Sequence, residues 1–139
     1  MLESRGTEIL GERECLRLLA TAPVGRVVFT DRALPAVAPV NFVLHKGKVV
    51  FRTDPCGQLA AGVRNAVVAF QVDEFDACAH SGWSVTVIGY ARVVREDAEL
   101  SSLGLCASVG GPHGRFVVIV PEILTGRRIP ERWVREEVG

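Results

Sequence analysis

The chain has 139 residues, 48% of them hydrophobic, with 16 Lys and Arg balanced against 16 Asp and Glu. That length and apolarity suit one domain, taken as residues 1–139, with a real core, and they exclude a disordered chain. Zero formal charge gives no overall pull toward nucleic acid or a membrane surface, and no apolar run approaches the length of a membrane span.

Glu8 to Ala20 reads as a helix: Ile9, Leu10, Leu16, Leu18, Leu19 and Ala20 give a mostly helical apolar pattern, and Pro23 lies past its end. Gly25 to Thr30 is a strand, and Asp31 to Pro35 a turn. Ala36 to Leu44 is a second strand, in which Pro39 calls for an edge or a bulge because proline cannot donate to a ladder. His45 to Lys48 is a hairpin turn, with Gly47 at the position that tolerates positive φ. Lys48 to Thr53 is the third strand. A short helix follows from Gly57 to Arg64, then a strand from Ala66 to Asp73 and a polar loop from Glu74 to Gly82. Trp83 to Arg95 is a long strand, with Gly89 marking a bend or bulge. Residues 96–107 read as a helix with an acidic first turn, favourable for its dipole. After a glycine-rich loop, Arg115 to Leu124 is a strand, and Thr125 to Ile129 begins a last extended piece. Successive strands joined by hairpin-length turns predict a mainly β (α+β) fold: an antiparallel sheet closed into a barrel, with short helices at its ends.

Four stretches carry candidate chemistry. In "FRTDPCGQLA" (Phe51 to Ala60) a strand gives way to a helix through a turn. Arg52 offers a planar, permanently charged fork suited to phosphate, Thr53 a hydroxyl, and the helix start backbone N–H groups. The same pattern also fits a surface arginine beside an ordinary turn. "APVNF" (Ala38 to Phe42) is an edge whose backbone could meet a flat heterocycle, with Val40 against its face; an edge guarded by proline fits equally. In "GWSV" (Gly82 to Val85), Trp83 suits stacking on a ring and Ser84 suits donation to an anion or carbonyl, or the tryptophan simply closes one end of the core. Arg127 and Arg128 either reach a ligand or form a solvated pair. The three histidines and four scattered cysteines lack metal-ligand spacing and fit reduced thiols, and no secretory leader pattern opens the chain, so a cytoplasmic location is expected. Walker and G-x-G-x-x-G patterns and a G-x-S-x-G elbow are missing from the sequence.

The series "LPAVAPVNFVLHKGKVVFRTDPCGQLAAGVRN", "SGWSVTVIGYARVV" and "TGRRI" resembles the pyridoxamine 5′-phosphate oxidase-like family, flavin-binding split β-barrels, and within it the small single-domain branch with nitroimidazole-reductase-like members. The likeness runs from about Glu12 to Ile129. It implies an antiparallel split β-barrel, a homodimer with FMN at the interface, and hydride transfer through the flavin to a small acceptor. It places Val40 and Asn41 along the flavin ring and Arg52 and Thr53 at the ring and phosphate tail. Gly57, Gln58 and Leu59 fall in the phosphate turn, and Trp83, Ser84 and Val85 on a strand start contributing from the interface. The family often has a lysine where this chain has Gln58, which removes one charge-assisted contact. Deazaflavin coenzyme and haem are the alternative cofactors in the family, and a non-catalytic carrier the alternative role. The resemblance implies neither a nucleic-acid nor a membrane partner, and it assigns no catalytic acid or base and no metal.

Overall fold

The computed structural model describes residues 6–54, 57–94, 98–99 and 114–130. In chain order these form β1 (Glu8–Leu10), α1 (Glu12–Thr21), β2 (Val24–Asp31), β3 (Leu34–His45), β4 (Lys48–Thr53), α2 (Gln58–Gly62), β5 (Ala66–Asp76), β6 (Ser81–Val93) and β7 (Arg115–Ile129). The sheet order is β1-β7-β4-β3-β2-β5-β6, and β6 pairs back to β7, so six strands close a ring with β1 appended. Every pairing is antiparallel. This is the antiparallel split β-barrel with short flanking helices that the turn spacing predicts.

The ring is not uniform. On one edge β7 pairs β6 from Val117 to Ile129. On its other edge it pairs β4 from Arg115 to Ile119 and β1 from Gly126 to Arg128, leaving a gap in the ladder between them. Across that gap lies α1, close enough that a Cβ on Gly126 would sit 2.5 Å from Cys15 Sγ. Alternation fills the interior: Val27 and Phe29 of β2, Val49 and Phe51 of β4, Val68, Phe70 and Val72 of β5, and Val85 and Val87 of β6 are all buried. Phe42 meets Phe70 edge-on, ring centroids 4.7 Å apart. Cβ atoms that point alternately to opposite faces make this inward set possible from strands that look polar in every second position.

Several boundaries depart from the sequence reading. Glu8 to Leu10 is a strand and not the first turn of the helix; α1 starts after Gly11, with Glu12 and Glu14 in its first turn. The loop at Glu74 to Gly82 shrinks to a four-residue connection, because β5 runs to Asp76 and β6 starts at Ser81. There Asp76 Oδ1 accepts from the N–H groups of Cys78 and Ala79, a local turn bond typical of aspartate. The last two extended pieces are one strand, β7, running through Pro121. The helix expected over 96–107 lies outside the described residues, apart from helical Ala98 and Glu99.

Three local expectations hold. Lys46 and Gly47 both have positive φ, 53° and 78°, the backbone of a tight hairpin turn. At Gly89 the β6–β7 register shifts, from Ile88 opposite Ile123 to Gly89 opposite Pro121. Pro39 pairs only with Arg26 on β2, while β4 begins its pairing with β3 at Phe42, so the proline sits where β3 has one neighbour.

Candidate functional site

The end of β4 positions Arg52 and Thr53. Phe51 faces the barrel interior and is fully buried. Alternation therefore turns Arg52 to the outer face, where it lies opposite Phe116 of β7. Its guanidinium carbon stands 4.3 Å from the Phe116 ring centroid, a cation–π contact that holds the side chain half-buried along the sheet. Arg52 Nε is shut off from solvent without a hydrogen bond of its own, although the side chain is engaged elsewhere. Thr53 is half-buried and pairs with Arg115, an exposed cation. Sequence reading passed over Arg115, because only the β4–β7 register sets it beside Thr53.

β3 brings the next pair. Phe42 pairs with Phe51 and the β3–β4 ladder ends there, so Asn41 and Val40 continue β3 beyond the last pair while Arg52 and Thr53 continue β4 along β7. Asn41 is exposed, whereas Val40 is half-buried against the core. From Leu34 to Asn41, β3 is laddered to β2 on one edge, and among the described residues no strand covers the other. An uncovered edge of backbone N–H and C=O groups thus runs away from Arg52, the kind of row that can pair with a planar heterocycle.

After β4 the Gly57 N–H donates to the Asp54 carbonyl at 3.1 Å. The helix behind it, α2, is a single turn of five residues, so its dipole is short. Gln58 is exposed at its start, and Leu59 packs on the core, fixing α2 in place. Gly62 abuts Phe29: a Cβ there would meet the ring at 2.2 Å.

Trp83 and Ser84, half-buried, open β6. Val85 is fully buried, so its side chain is barrel core and offers no contact surface. Trp83 lies between Glu74 and Arg128, and Ser84 between Asp73 and Arg127. The two expected groups are therefore not together in one chain. Arg52 is opposite Phe116 and Ser84 opposite Arg127, eleven residues apart along β7. That is about 36 Å of strand at about 3.3 Å per residue.

Arg128 has a structural task. It donates to Glu14 at 3.1 Å and Glu8 at 3.5 Å, tying β7 to α1 and β1. Glu14 also accepts two bonds from Arg17, at 2.6 and 2.9 Å. The Arg17 bonds, helped by Arg128, hold the Glu14 carboxyl down at about 2. Burial pushes the Cys15 thiol up, which keeps it protonated and inert. Among the described residues no cluster of His, Cys, Asp and Glu is placed to hold a metal, and no helix is long and apolar enough to cross a membrane.

Two concavities lie elsewhere. One of about 410 Å³ is lined by the end of α1 and by Phe42 to Leu44; another of about 590 Å³ lies between Glu12, Leu16, Lys46, Lys48 and the Val120–Leu124 stretch of β7. Neither of these two is lined by Arg52, Gln58 or Trp83.

Known proteins share this architecture. An uncharacterized protein of Mycobacterium tuberculosis is 39% identical over 127 residues, taking in 86% of this chain and 84% of that one. An FAD-binding protein of Mycobacterium smegmatis superposes with a TM-score of 0.78 at 35% identity, covering 88% of this chain and 98% of the other. A pyridoxamine 5′-phosphate oxidase candidate from Corynebacterium glutamicum gives 0.78 at 30% identity, with 94% and 99% covered. Residues 11–109 match the sequence profile described as pyridoxamine 5′-phosphate oxidase, and with the split barrel and these relatives this establishes that the chain belongs to the pyridoxamine 5′-phosphate oxidase-like family.

Proposed function

We propose that the protein binds a flavin nucleotide on the ledge formed by the open edge of β3 and the end of β4, and that it is an oxidoreductase acting on a small acceptor. The observation that carries this reading is that Arg52, stacked on Phe116, stands where the β3–β4 ladder ends and the Leu34–Asn41 edge of β3 begins. The donor set suits the group: a flat ring with hydrogen-bonding edges needs backbone N–H and C=O groups, and an anionic tail needs a fixed cation and a hydroxyl. Arg52 and Thr53 would hold the tail, with Gln58 reaching it from the start of α2. Asn41 and the β3 backbone would fix the ring edge, and Val40 would lie against its face.

The bound flavin would supply the chemistry, accepting a hydride from a reductant and passing it to an acceptor such as a quinone or nitroaromatic. The chain's part is binding and orientation. Phe116 keeps the Arg52 side chain from sweeping through solvent, and Leu59 and Gly62 anchor α2 on the core so that Gln58 is held near the tail. No acid or base is assigned, since hydride transfer requires none.

FMN and FAD both satisfy this donor set. The FAD-binding relative at 35% identity favours FAD as the second reading. Purification without added cofactor, a visible spectrum, and titration with FMN and FAD separate the two. A colourless protein that binds neither below about millimolar rejects the flavin reading. Steady-state oxidation of a reduced nicotinamide then distinguishes an enzyme from a carrier, which binds flavin and shows no turnover.

A further inference from the structure

One edge of β7 is interrupted. β4 pairs with it as far as Ile119, opposite Val49, and β1 takes over only at Gly126, opposite Leu10. Among the described residues no strand pairs with that edge from Val120 to Thr125. Backbone N–H and C=O groups on such an edge call for partners, and an extended chain is the partner that fits them. Pro121 has no N–H, so there the edge offers a carbonyl at most.

The cavity of about 590 Å³ lies along this gap, and its volume is in the range of ligand sites. Its apolar wall is Leu16 of α1 with Val120 and Leu124 of β7, all half-buried against the core. Its charges are sorted by end. Lys46 and Lys48 reach it from the β3–β4 hairpin, next to the Val49–Ile119 pair. Glu12 reaches it from the start of α1, just after Leu10 has paired with Gly126. Glu122 is exposed midway between Val120 and Leu124. Among the described residues these four charges form no salt bridge. Glu99, which also feels Lys48, is already held by two bonds from Arg92.

Chain direction gives this sorting a meaning. Both β1 and β4 run antiparallel to β7. A chain lying in line with them starts at the Glu12 end and finishes at the Lys48 end. A peptide in that orientation brings its ammonium to Glu12 and its carboxylate to the lysines. The reverse orientation meets like charge at both ends. From Val120 to Leu124 the gap spans about 16 Å at about 3.3 Å per residue, room for a peptide of about five residues. The hairpin closes one end and the β1–α1 connection the other, so a short peptide with free termini fits where the middle of a long chain does not.

We propose that this groove binds a short zwitterionic peptide as an extended strand against β7, its ammonium at Glu12 and its carboxylate at Lys46 and Lys48. Glu122 favours a basic residue at the centre of that peptide and disfavours an acidic one. The groove shares no lining residue with the Arg52 ledge.

Isothermal calorimetry on the full chain tests this with the peptide Val-Ala-Lys-Ala-Val, both termini free. Binding with a Kd below about 1 mM is expected. Acetylating the amine or amidating the carboxyl should each weaken it by about three- to fivefold, the reach of partly exposed ion pairs. Glutamate in place of the central lysine should weaken it as well. Lys48→Ala should weaken the free peptide by the same factor and leave the amidated one unchanged, with Lys46→Ala as the second variant should the first fail to fold. Glu12→Ala should weaken the free peptide and leave the acetylated one unchanged. No binding at about 1 mM overturns the site. So do capped peptides that bind as well as the free one, or folded lysine and Glu12 variants with wild-type affinity. The measurement needs no flavin, so its outcome is separate from that of the ledge.

Discussion

Arg52 lies over the ring of Phe116, 4.3 Å from its centroid, and this contact joins the last residues of β4 to the first residues of β7. An arginine on a strand end would otherwise explore many rotamers, at an entropic penalty of about 2 kcal/mol when a ligand fixes it. Stacked, it is pre-ordered. Arg52→Ala should lower flavin affinity by a factor of about ten to a hundred, since hydrogen bonds to charged groups contribute about 1.5–3 kcal/mol. Fluorescence quenching of FMN and FAD reads the change. Phe116→Leu should give a smaller loss, under about tenfold, because the cation remains and only its support is removed. Equal affinity in wild type and Arg52→Ala would take the tail-binding role away from this residue.

The Glu14 carboxyl, held at about 2 by Arg17 and Arg128, makes an acid-side prediction. Its pKa in the unfolded chain is near the ordinary 4.5, so the folded state is favoured by its charge above that value. The contribution fades as pH falls from about 4.5 toward about 2, where the folded protein also takes up the proton. Thermal melts of wild type and Glu14→Gln should differ by a constant amount above about pH 5.5 and converge as pH approaches 2. A difference that widens on acidification would contradict the pairing with Arg17 and Arg128.

Much of this molecule could be read from its residues, and the failures share a cause. Strands β2, β4 and β6 stand out because β-branched alternation is a local property, and so do the Lys46–Gly47 turn and the Gly89 bulge. Glu8 to Leu10 misled because Ile9 and Leu10 extend the helical apolar period, while what decides their state is pairing with Gly126 to Arg128, more than a hundred residues away. The break expected after Leu124 is missing because the ladder with β6 continues from Leu124 to Ile129, and Pro121 is accommodated where the register shifts opposite Gly89. At the site, Arg52, Thr53, Val40 and Asn41 could be grouped because one hairpin carries them. That Trp83 and Ser84 stand at the far end of the barrel depends on the β6–β7 register, and no local pattern encodes that distance.

The bulge itself is testable. A Cβ on Gly89 would lie 2.1 Å from the Val120 carbonyl oxygen and 3.2 Å from an Ile119 methyl. Backbone must move to admit it. Gly89→Ala should therefore destabilise the fold by about 1–3 kcal/mol, the usual range for overpacking. Chemical denaturation measures it, with Gly47→Ala as a contrast in which open space surrounds the new methyl and only the positive φ of 78° is strained. A Gly89→Ala protein as stable as wild type would mean that β6 and β7 approach less closely than they do here.

Gln58 offers the sharpest chemical test of the ledge. It is exposed at the start of α2, and Leu59 behind it is packed into the core, so the position is fixed while its side chain is free to reach outward. A neutral amide gives an anionic tail a hydrogen bond but no charge. Gln58→Lys should raise affinity for a phosphorylated flavin by about tenfold, the worth of one charge-assisted contact at about 1–2 kcal/mol. Affinity for riboflavin, which has no phosphate, should be unchanged. The gain should shrink as salt rises from 0.05 to 0.5 M, values chosen to take the screening length from about 14 to about 4 Å. A gain that is equal for riboflavin would place the tail away from α2, and the ledge would then have to be read in the opposite direction, with the ring and not the phosphate at the end of β4.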